Sequence, residues 1–374
     1  MSETTTTPVK THRTNPNANP EGSAFLITLL QRYVDQVSGR TRRELQLAQE
    51  IDARPGGRAT AEQAVRSWRA LPVETRAAAV GAEAAAADHR ARVDEDALLA
   101  QARRAFRARG VRSPQGFSVR AATSGRTPVG APPFTLPAVE ADGPLTPKQT
   151  TDAATRPDET APDPDGAGAV LGNPPPVAAS AVAGTLYRIR YVGLYCKRES
   201  SWDGGSNSDE PYVSFNMTDD ANHSWAKRTG VYGDVDKKES RGAMPDPLVL
   251  YGPAHTPSDR TYISALVTEH DFGDPEKIKK AWHDAATLGQ CVAKYYGVDV
   301  DQAVVDSAAN LLNLVFNLGD DVIGWDSVVL WPESWEWFAA QPLLTYKGIT
   351  YHFFLFHTDN DSEFYTFYRI DRLN

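Results

Sequence analysis

Asp203 and Asp209 lie six positions apart and enclose a loop of Gly, Ser and Asn residues. Calcium binds roughly six to eight oxygen atoms and accepts carboxylates, backbone carbonyls and water in a flexible arrangement. A loop of this composition could turn both carboxylates and several of its carbonyl groups toward one ion. The same residue types also dominate ordinary turns, so a surface turn without a metal is the alternative interpretation.

Two further acidic elements follow far downstream. Glu269 and Asp271 end an alternating, strand-like run that begins at Tyr262, and residues two apart on a strand share a face. Asp321 begins the sequence Asp-Val-Ile-Gly, which precedes another apolar run at 328–331. We therefore predict that one or two calcium ions are bound by Asp203, Asp209, Glu269, Asp271 and Asp321.

Together these pieces resemble the C2 domain, a family of calcium- and phospholipid-binding β-sandwiches. The sequence Ser-Asp-Glu-Pro-Tyr-Val at 208–213 is similar to the family's first calcium loop, with Glu210 inserted. Glu269 and Asp271 resemble the Asp-x-Asp pair of the last calcium loop, with Glu in place of the first Asp, and Asp321 resembles its closing element. The resemblance covers roughly residues 185–358. It implies a β-sandwich, bound calcium and an anionic phospholipid surface as the partner, although a protein partner is also open.

One departure from the family is a long insert. Asp271 and Asp321 are 50 positions apart, where a C2 loop has only a few residues. Apolar residues recur at helical spacing there, so we predict two or more helices over about 275–316. We expect these helices to pack on the sandwich through Ile278, Trp282, Leu288, Val292, Leu311, Leu314, Val315 and Phe316.

Composition divides the chain into parts. Residues 1–20 are polar and predicted to be disordered, and residues 21–110 are rich in Ala, Arg, Glu and Leu, which favour helix. Residues 111–183 form a Pro/Gly/Thr-rich linker with too few large apolar residues to fold. Residues 184–374 are rich in β-formers. The predicted fold class is therefore multidomain α and β: an N-terminal helical module, a linker, and a C-terminal antiparallel, C2-like β-sandwich with a helical insert.

The charge is concentrated in the C-terminal part. The chain carries a formal net charge of −9. Residues 184–374 hold 28 acidic against 17 basic residues, a net charge of −11. This balance argues against nucleic acid as a partner and suits a domain that gathers cations. A solvated acidic surface that aids solubility is the alternative.

Cysteine usage and the N-terminus indicate the compartment. Cys196 and Cys291 could form one bridge, but two thiols in a reducing compartment are favoured. The N-terminal segment lacks the apolar core of a signal peptide, and the apolar run at 24–30 is too short to span a membrane. We expect a chain that is cytoplasmic as synthesised, with export by a non-classical route left open.

The sequence carries no familiar enzyme motif: G-x-S-x-G, the P-loop, HExxH and CxxC are all missing. His270-Asp271 and His283-Asp284 are neighbouring pairs without a motif around them, and the aromatic residues at 331–338 suit a buried core better than a sugar-binding surface. We therefore expect a binding role rather than catalysis. The alternatives are a structural or assembly component of a larger complex or secreted particle, with oligomerisation through residues 21–110, and an effector enzyme with an unrecognised site.

Overall fold

A computed structural model provides the fold. The structure describes residues 19–54, 56–106, 135–137, 168–170, 185–199, 209–219, 224–254, 260–270, 273–298, 302–315, 321–358 and 362–373. Residues 1–18 of the predicted disordered tail and most of the predicted linker lie outside these ranges. The prediction of disorder is wrong for Asn19 and Pro20, which form the N-cap and first residue of a helix. Within the linker, two short segments, β1 (Thr135–Pro137) and β2 (Gly168–Val170), pair as antiparallel strands.

The N-terminal part is helical. Its helices are α1 (Pro20–Val34), α2 (Arg42–Asp52), α3 (Gly57–Ala70), α4 (Val73–Val80), α5 (Ala82–Ala86) and α6 (Glu95–Ala105). Local sequence explains where two of them begin. Thr41 and Glu44 form a reciprocal capping box at the start of α2, and the Asp94 carboxylate accepts a hydrogen bond from the Ala97 amide at the start of α6.

The C-terminal part is built from antiparallel strands and three helices. Its strands are β3 (Tyr187–Arg198), β4 (Pro211–Asp219), β5 (Ser224–Arg228), β6 (Ser240–Gly242), β7 (Leu248–Ala254), β8 (Thr261–Glu269), β9 (Asp321–Leu330), β10 (Leu344–Tyr346), β11 (Ile349–Tyr351), β12 (Phe353–Thr358) and β13 (Glu363–Arg372). Its helices are α7 (Pro275–Tyr296), α8 (Gln302–Val315) and α9 (Pro332–Ala340).

The strands form two main sheets. In the five-stranded sheet the order is β12-β13-β3-β6, and β7 pairs with β3 beside β6. In the four-stranded sheet the order is β5-β4-β8-β9. Strands β10 and β11 form a separate hairpin. The described chain is therefore a mixed fold, with helices at the N-terminal side and antiparallel sheets at the C-terminal side, as the composition predicted.

The two main sheets share one hydrophobic cluster. Val213, Phe215 and Met217 alternate along β4 and contribute one face of the four-stranded sheet to it. The five-stranded sheet contributes residues such as Tyr191 and Tyr368. The sheets also meet at an edge: a Cβ on Gly324 of β9 would lie 2.5 Å from the backbone nitrogen of Thr358 in β12, so only glycine permits this approach.

The predicted insert contains two helices, α7 and α8. Pro275 occupies the first turn of α7, the Asp274 carboxylate caps its N-terminus, and Gly297 ends it with a positive φ of 63°. Ile278 and Trp282, four residues apart, are both buried.

No helix in the part of the chain that the structure describes is long and apolar enough to span a bilayer.

The packing of the insert differs in part from the expectation. Its buried residues, with Leu288 partly buried beside them, join one hydrophobic cluster with the N-terminal helices. From the described sheet strands this cluster takes Tyr212, Leu266 and Trp325, with Val322 partly buried beside them. Phe316 lies outside the described residues. The physical reason is that α1 is apolar around most of its surface, so the apolar faces of α7 and α8 are needed to cover it.

Polar contacts also join the N-terminal helices to the insert. The buried Asn19 Nδ2 donates to the Ala105 carbonyl at 2.9 Å and to the Ala303 carbonyl at 3.1 Å. The Tyr295 hydroxyl donates to the Glu50 carboxylate at 2.9 Å. The N-terminal helices therefore lie against the C-terminal part instead of standing apart as a tethered module.

Candidate functional site

The pairing of three strands brings the predicted acidic residues to one end of the four-stranded sheet. Pro211 at the start of β4 pairs with Glu269 at the end of β8, and Glu269 pairs with Asp321 at the start of β9. Asp209 precedes Pro211 by two residues. Three acidic residues that are distant in sequence therefore meet at this edge, which we call the acidic end of the sheet.

Backbone hydrogen bonds fix the acidic end. The Asp209 carbonyl accepts from the Val235 amide at 3.0 Å, and the Glu210 carbonyl accepts from the His270 amide at 3.1 Å. A bulge interrupts the pairing of β8 and β9 between Val267 and Thr268. Bulges re-aim side chains and are common beside functional sites. Asp209 and Glu269 are both buried, and each takes part in further interactions within the fold.

The pKa of the Cys196 thiol reflects several carboxylates in its surroundings, and Asp209 is one of them. Burial raises the pKa of the Cys196 thiol, and the carboxylates of Asp209, Glu199, Glu239 and Asp236 raise it further, because each opposes formation of a thiolate. Cys196 is buried and free. Asp209 is therefore one of four carboxylates around Cys196 of β3, together with Glu199, Asp236 and Glu239.

Part of this charge is already balanced by Arg241 and by backbone amides. Arg241 pairs with Glu239 at 2.6 Å. The Glu239 carboxylate also accepts from the Asp236 amide at 3.0 Å, and the Glu199 carboxylate accepts from the Lys237 amide at 3.3 Å. Glu199 and Glu239 therefore order the local backbone, whereas Asp209 and Glu269 belong to the strand ends that pair with the start of β9 at Asp321 or lie next to them.

The structure tests the predicted calcium ligands only in part. Asp203 and Asp271 lie outside the described residues, and only the backbone of Asp321 is described. Among the side chains that the structure describes, no group of three or more His, Cys, Asp or Glu residues is arranged to hold a metal ion. Calcium binding by the full set of five residues therefore stays a prediction.

Sequence reasoning missed Glu199, Asp236 and Glu239. The only signal was a charged run at 234–239, because the approach of Asp236 and Glu239 to Cys196 depends on the long-range pairing of β3 with β6. Both cysteines are free thiols, as the sequence favoured, and lie in different hydrophobic clusters.

The candidate catalytic pairs do not form dyads among the described residues. The His283 Nδ1 lies 2.6 Å from the Asn216 Oδ1, and its Nε2 lies 3.3 Å from the Ser224 hydroxyl. Asp284 instead pairs with Lys280 at 2.6 Å. Burial lowers the pKa of His283, which favours its neutral form. Asp271, the neighbour of His270, lies outside the described residues.

The aromatic residues of α9 belong to the core. Trp335, Trp337 and Phe338 are buried in the cluster between the sheets, and the Phe338 and Phe353 rings lie 5.1 Å apart. They are therefore not a surface for stacking sugars or entering a membrane.

Comparison of the chain with protein-family models, with curated proteins and with solved structures finds no match.

Proposed function

We propose that the C-terminal part of the chain is a calcium-dependent binding module whose metal site lies at the acidic end of the four-stranded sheet. The observation that carries the proposal is the strand pairing of Pro211 with Glu269 and of Glu269 with Asp321. This pairing unites acidic residues from three separate segments, as a site assembled from several loops requires.

A C2-like sandwich is the proposed architecture. The hydrophobic cluster shared by the two main sheets supports it, because facing sheets of a sandwich bury their inner side chains against each other. The resemblance at 208–213 supports it as well. In such an arrangement the loops that join strands at one end supply the ligands, and the strands beneath hold them in position.

The ligand roles follow from the chemistry of the side chains. Asp209 and Glu269 would supply carboxylate oxygens from the rigid strand ends, and Asp203, Asp271 and Asp321 would supply the remainder. Clustered carboxylates repel each other, and a divalent cation offsets that repulsion while it gains oxygen ligands. Calcium should therefore stabilise the folded chain, because it binds the assembled site and not the unfolded chain.

The proposed partner is an anionic phospholipid surface. The acidic end by itself would repel anionic head groups, since like charges at a membrane surface oppose binding. Bound calcium would reverse the local charge and bridge the carboxylates to the phosphates of the lipid. Binding should then require calcium and be lost when a chelator is added.

The first test is a calcium titration of the full chain followed by calorimetry and by thermal unfolding. Asp209→Asn removes one charged ligand and should weaken calcium affinity about tenfold, or about 1.4 kcal/mol. The matched control, Glu83→Gln, removes one exposed carboxylate on α5 and should leave calcium affinity unchanged. If millimolar calcium neither releases heat nor raises the melting temperature, the metal proposal is wrong.

The second test is sedimentation with vesicles made of phosphatidylserine and phosphatidylcholine. We expect the chain to sediment with them in calcium and to stay in the supernatant in chelator, and Asp209→Asn to need more calcium. Sedimentation that persists in chelator contradicts a calcium bridge. Calcium binding without sedimentation would reject the membrane and leave a calcium-dependent protein partner as the remaining interpretation.

A further inference from the structure

A concave site lies at the end of the four-stranded sheet opposite the acidic end. This cavity has a volume of about 410 Å³. It is lined by the end of β4, the start of β8, the C-terminal half of α7 and Arg54 from the α2–α3 connection. The N-terminal helices and the C-terminal part therefore build it together, and we call it the basic cavity.

Basic side chains outnumber acidic ones among the described residues that line the basic cavity. Arg54, Arg260 and Lys294 contribute positive charge, whereas Asp219 is the single carboxylate in this lining. The Arg260 guanidinium lies over the Tyr262 ring, 5.5 Å from its centroid, which fixes the position of the charge. The Arg54 Nη2 donates to the Glu50 carboxylate at 3.3 Å. This contact uses only one of the five N–H donors of the guanidinium.

The wall of the basic cavity also offers neutral polar groups. The Thr218 hydroxyl donates to the Gln290 Oε1, which orients the Gln290 amide. Gln290 is only 9% exposed, and its Nε2 has no hydrogen-bond partner among the described residues. The Nε2 atom itself is enclosed, so a ligand in the cavity could satisfy this donor only after the Gln290 amide turned toward it.

Cys291 lines the same cavity but does not suit nucleophilic catalysis. Burial raises the pKa of its thiol, so the neutral form dominates near pH 7 even though the Arg54 Nη2 lies 2.9 Å from the sulfur. The cavity therefore suits binding. Cys291 serves instead as a reporter of what occupies the cavity.

We propose that the basic cavity binds a small phosphate-bearing polyol, of the class of hexose monophosphates. Arg and Lys side chains recognise phosphate oxygens through charge-assisted hydrogen bonds, and the arginine fork matches their geometry. Asp219, Thr218 and Gln290 suit the hydroxyl groups of the polyol. A volume of about 410 Å³ lies within the range of roughly 300–1,000 Å³ that is typical of sites for small molecules.

The basic cavity is independent of the calcium site. It is bordered by Asp219 at one end of β4, whereas the acidic end begins at Pro211. Nine strand residues span roughly 27 Å, at about 3.3 Å per residue. Failure of one proposal therefore leaves the other untouched, and calcium should have no direct effect on occupancy of the cavity.

The test follows the reaction of Cys291 with methyl methanethiosulfonate in the full chain, read by peptide mass spectrometry. Cys196, which is fully buried elsewhere, is the internal control in the same sample. A hexose monophosphate should slow the labelling of Cys291 in proportion to its occupancy, while inorganic phosphate does so more weakly. Lys294→Gln should raise the concentration that gives half-protection about tenfold, because one charge-assisted contact is lost.

The matched control is Lys277→Gln, an exposed lysine in the first turns of the same helix that does not line the cavity. It should leave half-protection unchanged, and circular dichroism of both variants verifies that they fold. Equal protection by the unphosphorylated hexose would overturn the proposal, because the basic groups would then play no part. Labelling of Cys291 that no phosphate compound slows, or protection that Lys294→Gln does not weaken, would overturn it too.

Discussion

Asp326 is a carboxylic acid held close to the junction between the two sheets. Its two oxygens accept hydrogen bonds from the Ser327 amide at 2.8 Å and from the Phe356 amide at 3.0 Å. Burial raises its pKa from 3.8 to about 7, and these two hydrogen bonds only partly oppose the shift.

A pH-dependent stability follows from this raised pKa. The folded chain holds a proton on Asp326 that the unfolded chain has released, so its contribution to stability is complete below about pH 4 and is lost as the pH rises to about 7. We expect the wild type to lose up to about 1.4 kcal/mol per pH unit across that window relative to Asp326→Asn. Urea unfolding of both proteins at several pH values measures this difference, and a constant difference would contradict it.

His357 gives stability the opposite dependence on pH. Burial lowers its pKa from 6.5 to about 3, and its Nε2 lies 2.8 Å from the Thr366 hydroxyl. The stability that depends on neutral His357 is complete above about pH 6.5 and is lost as the pH falls toward about 3. In the wild type the pH-dependent contributions of Asp326 and His357 to stability partly cancel between about pH 4 and 6.5. The stability of the Asp326→Asn variant should therefore rise with pH over this range.

At the scale of elements, the close approach of α1 and α8 decides how the N-terminal helices sit. A Cβ on Gly22 of α1 would lie 1.8 Å from the Ser307 hydroxyl of α8. That hydroxyl donates to the Ala303 carbonyl at 2.6 Å and cannot move without losing its partner. Glycine at position 22 is therefore required by the neighbouring helix and not by its own backbone conformation.

Gly22→Ala should destabilise the chain by about 1–2 kcal/mol, because the cost of overpacking exceeds the gain in helix propensity. The midpoint of urea unfolding measures this change. In a Ser307→Gly background the closest clash is removed and only the Asn19 Nδ2, 2.7 Å from the added Cβ, stays within 3 Å, so the same substitution should destabilise the chain less. Gly233→Ala is the control, since a Cβ there meets no atom within 4 Å. Equal destabilisation by Gly22→Ala in both backgrounds would show that α1 and α8 do not touch at this point.

Local pattern predicted the elements better than their partners. The spacing of Ile278 and Trp282 predicted a helix, and α7 buries both residues. The same spacing did not reveal that this helix separates a polar sheet face from the N-terminal helices, where Asn216 of β4 contacts His283. An apolar face predicts that a helix is buried but does not indicate which element covers it. The shared core therefore depends on packing between distant segments.

The candidate site divides in the same way. Asp209, Glu269 and Asp321 were predictable because each adjoins a strand-like run, and strand ends that pair meet at one edge. Glu199 and Glu239 were not, because their place with Asp209 around Cys196 depends on the long-range pairing of β3 with β6 and on the position of β3 relative to β4 in two different sheets. The basic cavity was not predictable at all, since its lining combines residues from positions 54 to 298.

At the scale of the whole molecule, one hydrophobic core contains residues from both the N-terminal helices and the C-terminal part, and it holds the two together. The Phe25 ring of α1 is fully buried and meets the Tyr296 ring of α7 edge to face, 5.3 Å between centroids. Asn19 and Tyr295 add hydrogen bonds between the two parts. Covalent continuity of residues 111–183 should therefore be unnecessary for the assembled fold.

We predict that a chain cut at a specific protease site introduced in the linker will elute from a sizing column as one non-covalent particle. Phe25→Ala removes about 3–5 kcal/mol of core packing and should release the two fragments at low concentration. Val73→Ala is the control, because Val73 is 60% exposed and should leave the particle intact. Two separate peaks from the cut wild type would instead mean that the N-terminal helices form an independent module. The basic cavity would then lose Arg54, and protection of Cys291 by a hexose monophosphate should weaken in the separated C-terminal fragment.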